Sequence, residues 1–233
     1  MKEFYSIAVD GPSGAGKSSL ARRCAAAFGF IYVDTGAIYR CVGLAAYRKG
    51  VDRKDCNAVA ALLSELEIKM AYDDKGEQRM YLNGEDVSRE IREPHISLCA
   101  SDVSAIPQVR AFLLEMQRKM ARENNVIMDG RDIGTVVLPD AQLKIFLTAS
   151  PEARAERRML ELKEKGMEQS YETVLAEIIE RDRKDTQRET APLKEAEDAV
   201  HVDTSDINFE ESFDVLCKII EEKLHIEKME EKK

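Results

Sequence analysis

The sequence lacks tryptophan and is poor in the residues that usually cross-link a small protein or bind metal in it. Its five cysteines are scattered with no Cys-x-x-Cys pair, and its three histidines are too far apart in sequence to suggest a metal-binding motif. This pattern favours reduced thiols over a disulfide framework or a structural zinc site. The residues concerned are Cys24, Cys41, Cys56, Cys99, Cys217, His95, His201 and His225.

A long apolar run is also missing, as is a basic leader followed by an apolar stretch. The longest mostly apolar stretch, residues 24–33, is interrupted by Gly29 and is too short to span a bilayer. The sequence therefore predicts a cytoplasmic protein with no membrane partner.

A surplus of positive charge is absent too. The 35 Lys and Arg residues are outnumbered by 44 Asp and Glu, so the net charge is −9. Such a protein is not expected to bind nucleic acid through its overall field, and any anionic ligand must be held by a local basic cluster. Hydrophobic residues make up 44% of the chain, enough for a folded core. Because no coiled-coil heptads or long hydrophobic face stand out, we expect a monomer.

Short β-rich runs alternate with helical patterns along the chain, which predicts an α/β fold. Most runs carry consecutive apolar residues, as strands buried on both faces of a parallel sheet do, and the last is weaker and reads as an edge strand. The predicted strands cover residues 4–10, 30–34, 125–129, 143–149 and 199–203.

Apolar residues at steps of three and four predict the helices between these strands. Ser150 followed by Pro151 reads as a helix N-cap and first helical position, with Gly166 as the stop. The apolar stripes are Val59, Leu62, Leu63 and Leu66 in one helix, and Val109, Phe112, Leu113, Met116 and Met120 in another.

One segment breaks the alternation of strands and helices. Residues 67–72, 77–82 and 85–87 read as short strands, separated by residues 73–76 and by Asn83-Gly84. Because Asn-Gly is a strong hairpin signal, we expect a small antiparallel insert here.

A complete phosphate-binding loop follows the first predicted strand and precedes a helix. Its backbone N–H groups can surround an anion, the lysine adds a full charge, and the serine hydroxyl can join the shell of a Mg²⁺ ion. The loop predicts a nucleoside triphosphate with Mg²⁺ but does not identify the reaction. Its residues are Gly11, Pro12, Ser13, Gly14, Ala15, Gly16, Lys17 and Ser18.

Asp129 stands at the end of a predicted apolar strand, which is the expected place for a carboxylate that holds the metal or its water shell. Many buried strands end in Asp, so this assignment depends on the phosphate loop beside it.

Arginines follow two strand ends and continue on one predicted helix. Arg40 follows one strand, and Arg131 with Asp132 follows Asp129-Gly130. Transfer between two phosphates brings several negative charges together, and planar bidentate arginines suit their neutralisation. Arg181, Asp185 and Arg188 are spaced to share one helical face if the helix runs that far, and the alternative for them is an exposed ion-pair ladder.

The sequence resembles the bacterial cytidylate (CMP) kinases, within the nucleoside monophosphate kinases, over nearly its whole length. The phosphate loop alone is unspecific, whereas the Asp-Gly-Arg-Asp-x-Gly-Thr-Val-Val run and the antiparallel insert are specific to this family. The matching runs are residues 11–18, 34–40, 82–87, 129–137, 181–185 and 191–193. Thr35 and the Ser18-Ser19 pair depart mildly from the family pattern, and both keep their hydroxyl groups.

The resemblance implies a P-loop kinase fold. Its parts are a five-stranded parallel sheet flanked by helices with the phosphate-loop strand at the centre, a monophosphate-binding region enlarged by the antiparallel insert, and a short lid. In this chain the implied core is residues 1–36, 106–150 and 191–225. The monophosphate-binding region is 37–105, the lid 151–190, and a charged tail 226–233.

The resemblance also implies the reaction ATP + CMP ⇌ ADP + CDP, with dCMP as a second acceptor and Mg²⁺ as cofactor. Lys17, Arg131 and Arg188 would be catalytic, Ser18 and Asp129 would hold the metal, and Ser19 and Arg157 would join the loop at ATP. Arg154 and Arg158 are further candidates for the ATP phosphates, with a solvated helix face as the alternative for all three lid arginines. Residues implied at CMP are Thr35, Tyr39, Arg40, Ser101, Arg110, Arg131, Asp132, Arg181, Asp185 and Arg188.

Among these, Arg40, Arg131 and Arg188 would grip the monophosphate, and Arg181 with Asp185 the ribose hydroxyls. Ser101, Arg110 and Asp132 would read the cytosine edge; outside the resemblance, Ser101 reads as an ordinary cap and Arg110 as an exposed helix arginine. Two rival functions remain: another small-molecule P-loop kinase, and a nucleotide-binding switch without turnover. A kinase with a hydroxyl acceptor would need a carboxylate base near that acceptor, and the arginine-rich set of residues speaks against it. An intact Lys17 argues against a switch.

Overall fold

The computed structural model describes residues 4–74, 76–164 and 166–229. The chain divides into two compact units, the first made of the chain up to Tyr32 and from Asn124 onward, the second of Val33–Glu123. The predicted core, lid and tail boundaries stay predictions, and residues 1–3, Lys75, Lys165 and residues 230–233 lie outside the described residues.

The strands in chain order are β1 (Ser6–Asp10), β2 (Ile31–Asp34), β3 (Ile68–Tyr72), β4 (Gln78–Leu82), β5 (Glu85–Asp86), β6 (Val126–Gly130), β7 (Leu143–Thr148) and β8 (Val200–Asp203). The helices are α1 (Lys17–Phe28), α2 (Thr35–Arg48), α3 (Cys56–Leu63), α4 (Pro94–Ser104), α5 (Pro107–Glu123), α6 (Pro151–Glu164), α7 (Tyr171–Gln187) and α8 (Phe209–Leu224). None of these helices, in the described part of the chain, has the length and apolar character needed to span a bilayer.

The large sheet has the order β2-β6-β1-β7-β8, so the strand that leads into the phosphate loop is central and β8 is an edge. Strand β1 pairs in parallel with β6 and β7, and β7 pairs in parallel with β8. All five residues of β1 are buried, as expected for a parallel strand covered on both faces. The five-stranded parallel sheet flanked by helices, predicted from the apolar runs and the resemblance, is confirmed.

Helices α1 and α8 pack on this sheet through small and branched apolar residues, among them Leu20, Cys24, Leu216 and Ile220. The charged tail was predicted over residues 226–233. After α8 the chain turns at His225 in the left-handed conformation, and the Met229 N–H donates to the Ala27 carbonyl, 2.8 Å away. The part of the tail that the structure describes is therefore hydrogen-bonded to α1.

Helices α6 and α7 pack through Ala155, Leu162 and Val174. The predicted cap is confirmed, because the Ser150 hydroxyl accepts from the Ala153 N–H at 3.1 Å and α6 begins at Pro151. The stop is confirmed as well, since α6 ends at Glu164 and the Gly166 N–H donates to the Lys163 carbonyl.

The second unit is organised around buried apolar residues of α2, α3, α4 and α5. Its antiparallel sheet has the order β3-β4-β5, which confirms the predicted insert. Leu82 and Glu85 pair across the Asn83-Gly84 turn. One packing prediction is wrong: Phe112 is exposed, and Arg110 and Gln117 are buried on α5 instead.

Candidate active site

The phosphate loop joins the end of β1 to the start of α1. Gly11 begins the loop with φ +146°, and a side chain there would place Cβ 1.9 Å from the Leu147 carbonyl oxygen. Only glycine fits so close to β7. The loop is thus fixed at its first residue by the neighbouring strand, and Gly16 within it is the N-cap of α1.

Lys17 is the buried cation of this loop. Its side chain is 5% exposed, and its Nζ donates to the Pro12 carbonyl at 2.6 Å. Burial lowers the pKa of Lys17 well below its ordinary value and Arg131 lowers it further, while Asp129 and Asp10 act in the opposite direction. An anion bound beside Lys17 would favour its charged form.

Ser18 and Asp129, the residues proposed for the metal, lie together. The Ser18 hydroxyl donates to Asp129 Oδ2 at 2.7 Å, and the Tyr32 hydroxyl donates to Asp129 Oδ1 at 3.0 Å. Tyr32 was not singled out in the sequence, because an aromatic residue in a buried strand reads as core. The result is a cluster of hydroxyl and carboxylate oxygens at the first turn of α1.

Asp10 is a second carboxylate that sequence reasoning missed. It accepts hydrogen bonds from the N–H groups of Ile133 and Gly134 at 2.8 and 2.7 Å. These two residues begin a short π-helix, Ile133–Val137, directly after the Asp-Gly-Arg-Asp run. Burial raises the pKa of Asp10 to about 6, although the two N–H bonds lower it. Asp10 is the last residue of β1 and Asp129 the last but one of β6, so the strand-end argument applied to Asp129 could have found it.

The carboxylate of Asp185 lies near three of the predicted arginines of the first unit. Arg131 Nε donates to Asp185 Oδ2 at 2.8 Å, and the two side chains are 20% and 9% exposed. Burial would raise the pKa of Asp185, but Arg131, Arg181 and Arg188 lower it, and the net direction is downward. The exposed ion-pair ladder is therefore wrong for Asp185, which is a buried carboxylate among three guanidinium groups.

Arg188 does not share a helical face with Arg181 and Asp185, because α7 ends at Gln187 and Arg188 is extended. The chain turns here: Arg188 Nε donates to the Ala191 carbonyl at 2.6 Å, and the Leu193 N–H donates to the Asp185 carbonyl. Arg188 also lies 3.4 Å from Asp132 Oδ1 through Nη2, and both side chains are under 10% exposed. The turn brings the two predicted residues together.

In the second unit, Asp34 caps α2 and holds Arg40. Its Oδ1 accepts from the Ala37 N–H at 2.9 Å, and its Oδ2 accepts from Arg40 Nη2 at 2.7 Å. Thr35, the first residue of α2, is buried. Asp34 was read as part of the family motif, and its capping role explains why a carboxylate stands there.

The base-reading candidates also lie in the second unit. Arg110 is 8% exposed, so the exposed-arginine alternative is wrong for it. Its guanidinium carbon lies 5.5 Å from the centre of the Tyr39 ring, and Nη1 donates to the Ser104 carbonyl at 3.2 Å. The Ser101 carbonyl accepts from the Ser104 hydroxyl at 2.9 Å. The structure brings Tyr39 and Arg110 together.

The three lid arginines separate into different surroundings. Arg158 has 41% of its side chain exposed and pairs with Glu161 on its own helix at 2.9 Å, as the solvated-face alternative expects. Arg157 is half-buried and donates to the hydroxyl and carbonyl of Thr204 after β8. Arg154 is buried, so the solvated-face alternative is wrong for it.

Residues 7–222 match the family model described as "Cytidylate kinase". The cytidylate kinase of Caldicellulosiruptor bescii is 48% identical over 215 residues, covering 92% of this chain and 93% of the relative. That of Geobacter sp. (strain M21) is 50% identical over 219 residues, with 94% and 93% covered. The crystal structure of an uncharacterised protein from Eubacterium ventriosum is similar, with a TM-score of 0.53 and 12% identity. The match covers 93% of this chain and 98% of that one, and it is a likeness of fold alone.

Proposed function

The chain belongs to the cytidylate kinase family, and we propose that it transfers the γ-phosphoryl group of ATP to the phosphate of CMP, and also of dCMP. The products are ADP and CDP or dCDP, and the enzyme is a nucleoside monophosphate kinase. The observation that carries this proposal is the buried Lys17 of the phosphate loop, whose Nζ donates to the Pro12 carbonyl at 2.6 Å, together with Arg131, whose Nε donates to the buried Asp185 at 2.8 Å.

The acceptor in this reaction needs no general base, since the phosphate of CMP is already an anionic nucleophile. Catalysis is then alignment of the two phosphates and neutralisation of their charge. Lys17 and the arginines of the Asp185 cluster supply that charge in the first unit. We assign the loop residues 11–18, Ser19 and Arg157 to ATP.

The residues present fit a Mg²⁺ ion. Hard cations of this kind take oxygen ligands, and Ser18 with Asp129 offers a hydroxyl and a carboxylate 2.7 Å apart. Ser18 and Asp129 would hold the ion, Asp129 through its carboxylate or a water of the ion's shell. When bound, Mg²⁺ supplies positive charge that stabilises the phosphates of ATP.

The CMP residues of the resemblance are assigned by the same proposal. In the first unit Arg131 and Arg188 grip the phosphate, Arg181 and Asp185 hold the ribose, and Asp132 accepts from the cytosine amine. In the second unit Arg40 contributes to the phosphate and Ser101 with Arg110 to the base, next to Thr35 and Tyr39. Uracil has a carbonyl where cytosine has the amine, so Asp132 would meet an acceptor and disfavour UMP.

We further propose a cytoplasmic monomer. The support is the scattered cysteines without a disulfide pattern and a sequence without heptads or a long hydrophobic face. Light scattering after gel filtration should give one chain mass of 26.3 kDa; twice that value would contradict the monomer.

A panel of acceptors tests the reaction. Purified protein with ATP and Mg²⁺ is given CMP, dCMP, UMP, AMP, GMP or shikimate, and ADP release is followed. Fastest turnover on CMP or dCMP is expected. Faster turnover on any other compound would refute the substrate, and no turnover on any of them would favour a nucleotide-binding switch.

A further inference from the structure

Arg154 is a buried arginine whose guanidinium bonds to three separate segments of the first unit. It stands on the first turn of α6, and its side chain is 2% exposed. Nε donates to the Ala149 carbonyl at 2.9 Å, Nη1 to the Ser13 carbonyl at 3.0 Å, and both Nη atoms to the carboxylate of Asp182 at 2.9 and 2.6 Å. One guanidinium thus connects the end of β7, the phosphate loop and α7.

The contact with Ser13 has a consequence for the phosphate loop. In a trans peptide the C=O and the next N–H point in opposite directions within one plane. Holding the Ser13 carbonyl on Arg154 therefore fixes the direction of the Gly14 N–H. The N–H groups of such a loop are the groups that bind phosphate. Arg154 orients one of them without needing to touch the nucleotide.

Packing supports the same contact. Gly14 has φ +79°, and glycine has no Cβ to restrict its backbone, so this conformation depends on the contacts that hold it. A Cβ placed on Gly14 would lie 3.5 Å from Arg154 Cβ, so the arginine stem covers this residue from one side. The guanidinium and its stem together restrain the tip of the loop.

The bond to Asp182 connects this restraint to the helix that carries the proposed substrate residues. Asp182 stands on α7 between Arg181 and Asp185, and the latter holds Arg131. The two-point arginine–carboxylate pair has a fixed planar geometry that lysine cannot reproduce. A shift of α7 would therefore move the group that holds the Ser13 carbonyl.

We infer that Arg154 is a positioning residue, which aims the Gly14 N–H at the nucleotide phosphates and joins the phosphate loop to α7 through Asp182. This inference rests on the proposed function only in taking ATP as the ligand of the loop. It makes no use of the acceptor.

The test compares Arg154→Met and Arg154→Lys with Arg183→Met, a neighbouring α7 arginine that is exposed and pairs with Glu180 at 2.8 Å. Binding of ATP is measured by calorimetry without an acceptor, so the result stands even if CMP is not the substrate. We expect ATP to bind about 10- to 100-fold more weakly to Arg154→Met, the size of one lost hydrogen bond to a charged group. Arg154→Lys should recover part of the loss, and Arg183→Met should equal the unmodified protein.

A resonance measurement reports on the loop directly. In ¹H–¹⁵N spectra of the ATP-free protein, the Gly14 amide signal should move in Arg154→Met, while that of Gly29, at the other end of α1, should not. Asp182→Asn keeps an oxygen acceptor, so it should move the Gly14 signal less and weaken ATP binding less.

Two results would overturn the inference: an ATP affinity of folded Arg154→Met within twofold of Arg183→Met, or an unmoved Gly14 signal. If Arg154→Met does not unfold cooperatively, the same two criteria are applied to Arg154→Lys. If the unmodified protein binds ATP more tightly than Arg154→Met does but phosphorylates none of the acceptors, only the proposed reaction is refuted.

Discussion

The phosphate loop and the arginine cluster of Asp185 are both positive regions of the first unit, but they are held in different ways. The loop is held by backbone contacts: Lys17 binds a carbonyl, and Gly11 lies against the Leu147 carbonyl. The arginines are held by carboxylates, Arg131 by Asp185 and Arg188 by Asp132. Burial lowers the pKa of Lys17, whereas arginine stays charged throughout the working pH range.

Because the phosphate loop and the arginine cluster are held by different contacts, we expect them to respond to different ligands. A loop whose lysine is desolvated gains most when an anion binds beside it, so its variants should lose ATP affinity. Guanidinium groups fixed in advance by carboxylates stabilise charge that develops during transfer. Their variants should lose turnover and CMP affinity while binding ATP normally.

Loss of an arginine from the cluster should have the largest effect. Arg131→Met and Arg188→Met should each reduce kcat by about 10³-fold or more, by analogy with arginine residues that act on transferring phosphoryl groups. Steady-state rates of ADP release with CMP give this value. Arg122→Met, an exposed residue of α5 paired with Glu115, serves as the control. An ATP affinity reduced as much as kcat would contradict the division between the two regions.

Loss of the loop lysine should come next. Lys17→Met removes a charge at the phosphates and should lower kcat by about 10²- to 10³-fold, as removal of one group that stabilises transition-state charge does. It should also weaken ATP binding in calorimetry without CMP. Lys218→Met, on the exposed side of α8, is the matched control. Normal ATP binding by Lys17→Met would contradict its place at the phosphates.

Base discrimination is a smaller effect and sharpens the role of the cluster. Asp132→Asn replaces the proposed acceptor of the cytosine amine with a group that can also donate to a uracil carbonyl. The ratio of kcat/KM for CMP to that for UMP should fall about 10-fold, the value of one hydrogen bond. Competition between the two monophosphates in one reaction measures the ratio, and an unchanged ratio would remove Asp132 from base reading.

The smallest effect concerns stability at the end of β1. The pKa of Asp10 is raised from 3.8 to about 6, so the folded state binds a proton more strongly and this residue contributes less stability as pH rises from about 4 to about 6. Asp10→Asn removes that dependence. Between pH 4 and 7 the difference in free energy of unfolding between Asp10→Asn and the unmodified protein should shift by about 2 kcal/mol in favour of the variant. Urea unfolding at several pH values measures this, and a difference that does not vary with pH would contradict the raised pKa.

Local patterns in the sequence were enough to predict the frame of the fold. The phosphate loop, the strand that ends in Asp34, the strand that carries Asp129 next to its end, and the Asn83-Gly84 hairpin all depend on residues close together in the chain. Their conformations follow from backbone sterics and apolar spacing, which a sequence displays directly.

The remaining features depend on contacts between distant residues. The position of Arg188 outside α7 depends on a turn closed by Ala191 and Leu193, and the predicted common face held only if the helix ran as far as Arg188, which it does not. Burial of Arg154 requires acceptors on β7, the loop and α7 at once. The stripe of α5 identified Val109 and Leu113 correctly, but Phe112 is exposed while Arg110 takes a buried place.

The central claim is that this protein carries the γ-phosphoryl group of ATP to a cytidine monophosphate. The most direct measurement is a single-turnover reaction with γ-labelled ATP, Mg²⁺ and an equal mixture of CMP and UMP, followed by separation of the labelled products. The account predicts that the label appears first and mainly in CDP. Label found chiefly in inorganic phosphate or in UDP would contradict it.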